Sequence, residues 1–180
     1  LASINSVALG VSGGPDSLAL LYLFNEWQIR SGWAGRSLVI TVDHQLRPES
    51  SDEAEEVARH CATLGLAHET LAWTDPKPAS NLQAAARDAR YRLIAEAFQE
   101  KQIDCLVLAH HQDDQAETFL DRLSRGSGVY GLGAMARDTS SGPHGLRLVR
   151  PFLDVPKMRL MAEMVKRGLT WADDPSNYNT

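Results

Sequence analysis

Three stretches concentrate residues able to do chemistry. The first, Ser12-Gly13-Gly14-Pro15-Asp16-Ser17, joins the apolar run Val7–Val11 to an apolar pattern of longer period that starts at Leu18. Gly13 and Gly14 permit positive φ and let backbone approach a ligand closely, because neither carries a Cβ. A helix beginning near Asp16 would leave backbone N–H groups free to hold an anion. Ser12 and Ser17 add hydroxyl donors. Asp16 is the odd member, since a carboxylate beside a phosphate repels it unless a cation stands between. The competing reading is an ordinary turn in which Asp16 or Ser17 caps the helix. No Gly-Lys-Ser/Thr follows, so the loop is not of the Walker type.

The second stretch, AHHQDDQAETFLDRLSRGSG, places His110 and His111 just before Asp113, Asp114 and Glu117. On a helix, Asp114 and Glu117 are three apart and share a face. Such carboxylates can hold Mg²⁺, a hard cation, or an ammonium group; the plainer alternative is acids that favour a helix N-terminus through its dipole. Paired histidines at such a junction suit phosphate binding or proton transfer. The third stretch, VDHQLRPESSDEAE, carries Asp43 and His44. A fourth, NLQAAARDARYR, sets Arg87 and Arg90 three apart, where guanidinium forks would meet phosphate or simply face solvent.

Elements that would position these groups follow from the apolar periods. Val7–Val11, Ser37–Val42, Ala67–Ala72 and Cys105–Ala109 read as short buried strands, and Leu146–Phe152 as a final one. Between them lie helical patterns: Leu18–Ile29, Ser50–Leu64 opened by a Ser50/Glu53 capping box, Ser80–Gln99 opened by a Ser80/Gln83 capping box, Asp113–Leu123, and Pro156–Arg167. The alternation predicts an α/β fold, doubly wound, with a mainly parallel five-stranded sheet and helices on both faces. In such a sheet ligands bind beyond the carboxyl ends of the strands, where all three chemical stretches fall. The Gly-rich RGSGVYGLGAM is the clearest break in the chain.

With 180 residues, 43% hydrophobic and 23% charged, the chain suits one compact domain. No apolar run is long enough to span a bilayer, so no membrane partner is expected and a cytoplasmic location is. Cys61 and Cys105 are far apart and form no CxxC pair, which excludes a readable zinc or iron–sulfur site. The net charge is −5, yet Arg122–Ala172 holds nine Lys/Arg against three acids. A basic sector on an acidic body suits either a polyanion-facing side or ordinary solvated helix faces.

The Ser12–Ser17 loop after a strand resembles the SGGxDS loop of the ATP pyrophosphatases, the PP-loop family with the adenine nucleotide alpha hydrolase-like fold. These enzymes cleave ATP between its α and β phosphates. HHQDDQAET, DHQLRPES, NLQAAARDARYR, RPFLDVPKMRL and WADDPSN together resemble the tRNA(Ile)-lysidine synthetase branch over nearly the whole chain. The resemblance implies ATP and Mg²⁺ as cofactors and two substrates: L-lysine and the tRNA(Ile) with a CAU anticodon. The wobble cytidine would be adenylated on its C2 oxygen, and the lysine amine would displace AMP.

By the same resemblance Asp16, His111, Asp114 and Glu117 are catalytic, with His110 merely packing. Ser12, Gly13, Gly14, Pro15, Asp16, Ser17, Asp43, His44 and Asn81 bind the nucleotide. Asp16 and Asp113 meet the metal. Arg87, Arg90, Arg125 and Arg150 face tRNA, while Asp114 and Glu117 take the lysine amine. The family further implies that residues 1–180 are a catalytic domain cut short at its C-terminal end, that tRNA-binding domains follow, and that a homodimer forms. Two rivals stand beside this reading. A sulfur-inserting tRNA thiolase shares loop and fold but needs paired cysteines, and a non-catalytic ATP-sensing module would not need Asp16, the acid cluster and a basic sector together.

Overall fold

The computed structural model describes residues 4–47, 50–126 and 133–171. Most of the Gly-rich break, the Pro-Glu of DHQLRPES and the end of WADDPSN lie outside the described residues. Strands β1 (Ser6–Gly10), β2 (Arg36–Asp43), β3 (His68–Ala72), β4 (Cys105–Val107), β5 (Asp138–Thr139) and β6 (Leu148–Val149) form one sheet in the order β3-β2-β1-β4-β6-β5. All neighbouring pairs are parallel except β5 on β6. The five expected parallel strands are thus present, and β5 adds a short antiparallel edge. The last strand is only two residues long, much shorter than Leu146–Phe152.

Helices α1 (Pro15–Ser31), α2 (Ser50–Leu64), α3 (Leu82–Lys101), α4 (Gln112–Ser124) and α5 (Lys157–Lys166) follow the expected segments. Strand alternation sorts the core onto two faces. Val7, Leu9, Cys105 and Val107 point to one face, where Leu18, Leu21, Val57, Cys61, Leu160 and Met164 of α1, α2 and α5 cover them. Ala8, Ile40, Leu106 and Leu148 point to the other, under Tyr91, Ile94, Ala97 and Phe98 of α3. Burial of the large side chains, such as Leu9 and Leu106 at 0% exposure, contributes roughly 1.5–3 kcal/mol each. By contrast α4 buries none of its residues and exposes Phe119, Leu120 and Leu123.

The Ser80/Gln83 capping box does not form: Asn81 is the N-cap of α3, in the left-handed region at φ 54, and its side chain makes no capping bond. At the start of α2 the Ser50 hydroxyl donates back to the Arg47 carbonyl, so this serine closes a turn instead of capping the helix.

The sheet order fixes where ligands fit. The chain winds from β1 out to β3, then returns across β1 to β4, so the loops after β1 and β4 part in opposite directions. The crevice at this switch point is the natural ligand site of an open α/β sheet.

Candidate functional site

A cleft of about 430 Å³ opens at that crevice. Its floor is apolar and comes from one parity of the strands: Ile40, Val42, Leu106 and Leu108, joined by Tyr91 and Ile94 of α3. Gly10 belongs to the same row, where an added Cβ would lie 2.9 Å from Leu108 Cδ2. Polar groups rim the floor: Ser12, Gly14, Pro15, Asp16 and Ser17 on the β1 side, His110 and Asp114 on the β4 side, and His44, Arg47, Arg87 and Arg90 opposite. Arg87, Arg90, Tyr91 and Ile94 are one face of α3 at i, i+3, i+4 and i+7. A flat base would rest on such a floor, with charged groups left to the rim.

The β1 loop leads directly into α1, with Gly14 as N-cap and Pro15, which lacks an N–H, at the first helical position. No side chain caps the helix. Ser17 instead donates its hydroxyl to the Gly14 carbonyl at 2.9 Å and accepts the Ser12 N–H at 3.2 Å. The first turn of a 17-residue helix therefore presents its N–H groups to the cleft, the arrangement that holds an anion. Only Gly13 uses positive φ, at 91°; Gly14 sits at φ −70°, so its value is the missing side chain, with Ser12 Oγ at 3.9 Å the nearest atom a Cβ would meet.

Asp16 is held at the rim by two cations or potential cations. Its Oδ2 lies 3.4 Å from His111 Nε2 and 3.8 Å from Lys157 Nζ, while Oδ1 is buried without a partner. Burial raises the Asp16 pKa above its ordinary value, against the opposing pull of His111 and Lys157. An orphaned carboxylate oxygen beside an anion cradle has the chemistry of a Mg²⁺ ligand.

His111 is the N-cap of α4 and is almost wholly buried. Its Nδ1 accepts the Asp114 N–H at 3.4 Å, and Asp114 Oδ2 accepts the His111 N–H at 2.8 Å, a reciprocal capping box. With Nδ1 accepting, the ring proton belongs on Nε2, aimed at Asp16. His111 is a strut that links the two loops and does not line the cleft. His110, assigned to packing, does line it; its Nδ1 is buried without a partner, and burial, with Arg150 and Arg87, pushes its pKa down to about 4. It is neutral at pH 7. Strand parity carries the signal: His110 continues the Leu106–Leu108 row of the floor, and His111 the Cys105–Val107 row that faces α1 and α5.

The remaining sequence candidates divide. Asp43 is buried just behind the cleft: its Oδ1 accepts the Gln45 N–H at 2.8 Å and its Oδ2 the Ser51 hydroxyl at 3.2 Å. Burial works to raise its pKa, but these hydrogen bonds win and hold it below the ordinary value. His44 lines the cleft, accepts Arg90 Nη2 at 3.1 Å, and is pushed down to about 4 by burial and by Arg90. The Arg87 guanidinium stacks 5.3 Å from the Tyr91 ring centre.

Asp113 Oδ1 accepts the Lys157 N–H at 3.2 Å, which ties α4 to α5. Glu117 is exposed one turn beyond Asp114 on the same face. Asp113, Glu117, Asn81, Arg125 and Arg150 do not line the cleft. Asn81 is exposed at the start of α3, Arg125 pairs with Asp121 at 3.0 Å, and Arg150 is buried, donating to Ala136 O and Thr139 Oγ1. Sequence reasoning passed over Arg47, Tyr91 and Lys157. No group of three or more His, Cys, Asp or Glu among the described residues forms a metal cage, and Mg²⁺ does not require one, since it commonly uses one or two carboxylates plus phosphates.

Comparison with known proteins agrees with this geometry. The chain matches the family model described as the PP-loop domain over residues 2–180. It is 51% identical over 172 residues to the tRNA(Ile)-lysidine synthase of Rhodopseudomonas palustris, covering 96% of this chain and 49% of that protein. Its identity to the Bradyrhizobium diazoefficiens tRNA(Ile)-lysidine synthase is 49% over 180 residues, covering 100% of this chain and 49% of that protein. The chain spans about half the length of these curated relatives. Among solved structures, a U34-tRNA thiolase from Methanococcus maripaludis with its [4Fe-4S] cluster aligns with a TM-score of 0.80 at 21% identity, over 99% of this chain and 63% of that one. A phosphoadenylyl-sulfate reductase from Candida auris gives 0.60 at 9% identity, over 94% and 76%. At those identities the likeness is one of fold. Family match, sheet order and the uncapped loop at the switch point agree: the chain belongs to the PP-loop domain family.

Proposed function

We propose that this chain is the catalytic domain of a tRNA(Ile)-lysidine synthetase. The observation that carries the reading is the cleft itself, which sets an uncapped helix N-terminus after β1 across from the acid-bearing start of α4 after β4. The names of the relatives at about 50% identity supply the substrates. Adenine rests on the apolar floor, and the polyphosphate lies against the first turn of α1. The C2 oxygen of the wobble cytidine of tRNA(Ile), with its CAU anticodon, attacks the α-phosphorus, and pyrophosphate leaves. The side-chain amine of L-lysine then attacks C2, and AMP departs with the oxygen.

Within this scheme each residue has a bounded task. Asp16, through its orphaned Oδ1, and Asp113 would hold Mg²⁺, which when bound neutralises charge on the phosphates. His111 fixes the orientation of Asp16 and Asp114. Asp114 keeps Oδ1 for the lysine ammonium group, and Glu117 adds a second carboxylate one turn on. Arg87 and Arg90 meet the sugar-phosphate of tRNA. The thiolase alternative lacks a sulfur carrier: the chain has two cysteines, both buried, with thiols pushed up to about 11 by burial.

The test is turnover by the full-length protein, with AMP and pyrophosphate followed together. Pyrophosphate formation should require a CAU-anticodon tRNA(Ile) transcript, and AMP release should require both that transcript and lysine. ATP cleavage indifferent to tRNA, or dependent on a sulfur donor, would overturn the reading.

A further inference from the structure

Lys157 breaks a local rule. It opens α5, whose first turn contains no acid, although the positive end of the helix dipole disfavours a cation there by about 0.3–1 kcal/mol. Residues that violate local preference concentrate at functional positions. Lys157 is also rigidly mounted: its N–H donates to Asp113 Oδ1, the Gln112 N–H donates to Val155 O at 3.0 Å, and His111 bridges to Phe152. From that mount Nζ reaches to 3.8 Å from Asp16 Oδ2, with about a third of the side chain exposed. That separation is longer than a direct charge-assisted hydrogen bond, so the pair does not saturate the ammonium group. The loop itself contains no Lys or Arg, and among the described residues the ion pairs of Asp16 are with His111 and Lys157. His111 Nε2 and Lys157 Nζ both face Asp16 Oδ2, and Lys157 brings the ammonium group to that carboxylate.

We propose that Lys157 is a phosphate-binding residue of the cleft, donating to polyphosphate oxygens from the far side of Asp16. The inference rests on the reading of the cleft as an ATP site. It gives the site the point charge that Walker-type loops carry within the loop, here delivered by a helix some 140 residues downstream. The ammonium group has three N–H donors, and the Asp16 pair occupies at most one, which leaves two available.

The test is calorimetric binding of pyrophosphate and of ATP, without Mg²⁺, to the full-length protein and to its Lys157→Ala, Lys157→Gln and Lys157→Arg variants, with thermal melts of each. Loss of a charged donor should weaken pyrophosphate binding about tenfold or more in the Ala and Gln variants. Lys157→Arg should stay within about threefold of wild type, since its fork also meets phosphate. The same loss should persist in an Asp16→Asn background. Equal affinity in all variants would overturn the proposal, as would a loss that vanishes in that background, which would make Lys157 a neutraliser of Asp16 only. If the unaltered protein binds neither ATP nor pyrophosphate, with or without Mg²⁺, the ATP reading fails together with this inference.

Discussion

Gly14→Val separates the loop's role in folding from its role in holding phosphate. Gly14 has φ −70° and ψ 162°, values that valine adopts without strain, and the nearest atom to an added Cβ is Ser12 Oγ at 3.9 Å. The folding cost is therefore that of replacing glycine by a poor N-cap, about 1 kcal/mol, which for a chain of this size lowers Tm by roughly 2–4 °C. The ligand cost is larger. Valine methyls would stand over the N–H groups of the first turn of α1 and displace the anion from them. Losing two charge-assisted bonds at ~1.5–3 kcal/mol each weakens ATP binding by about 10²–10⁴-fold. Gly13→Ala is the contrasting control: at φ +91° the backbone strain costs ~1–3 kcal/mol in folding, while the added methyl meets Val57 Cγ2 at 3.6 Å and Glu53 O at 3.7 Å, both ordinary contacts with α2 and away from the anion. Calorimetry with ATP and a thermal melt on each variant distinguish the two. Binding by Gly14→Val within about threefold of wild type would remove the loop from the phosphate site.

Asp16→Asn should lose Mg²⁺-dependent turnover about 10²-fold or more yet melt higher at pH 7. Because burial raises the folded-state pKa of Asp16, its charged form opposes folding; the gain from Asn is present at neutral pH and disappears as pH falls below the unfolded carboxylate pKa. A melt without pH dependence in the difference would contradict this. His111→Asn keeps a good N-cap for α4 but cannot reach Asp16, so it should retain stability within about 1 kcal/mol and still lose activity; an unchanged kcat would show that the strut is dispensable. Glu117→Gln should impair lysine incorporation more than pyrophosphate release, and equal loss of both would assign Glu117 to ATP. The 180-residue chain alone should bind ATP–Mg²⁺ but tRNA only weakly, with affinity that falls steeply between low and physiological salt; tight, salt-insensitive binding would place the recognition surface within this chain.

Apolar period located nearly every element, because the parallel strands are buried on both faces and the helices carry one apolar stripe. Its failures have local causes. The Ser80/Gln83 pattern satisfies the spacing of a capping box, but the backbone turns at Asn81 in the left-handed region, and no serine oxygen reaches the third helical N–H. The Leu146–Phe152 run is apolar enough for a long strand, yet the paired strand is Leu148–Val149 alone, and the segment resumes pairing only as an isolated bridge from Phe152 to His111. An antiparallel strand of two residues, β5, leaves no period to read.

The site was legible where function sits on consecutive residues and obscure where it depends on which way a side chain points. The Ser12–Ser17 loop and the Asp113–Glu117 acids announce themselves by composition, whereas the choice between His110 and His111 depends on strand parity carried three and four residues beyond β4. The basic sector shows the same limit for charge. Nine cations between Arg122 and Ala172 suggest a surface for phosphate, but Arg125 is paired with Asp121, Arg137 with Asp154, Arg147 with Asp138, and Arg167 with Glu163 and Glu26. Arg150 is buried. Sequence counts charges without knowing their partners, and surface pairs neutralise one another at small energetic gain. Of the cations in this sector, Lys157 is the one that stands beside Asp16, with Nζ 3.8 Å from its Oδ2. A polyanion-binding role for this half of the chain therefore depends less on its net charge than on where single cations such as Lys157 stand relative to the first turn of α1.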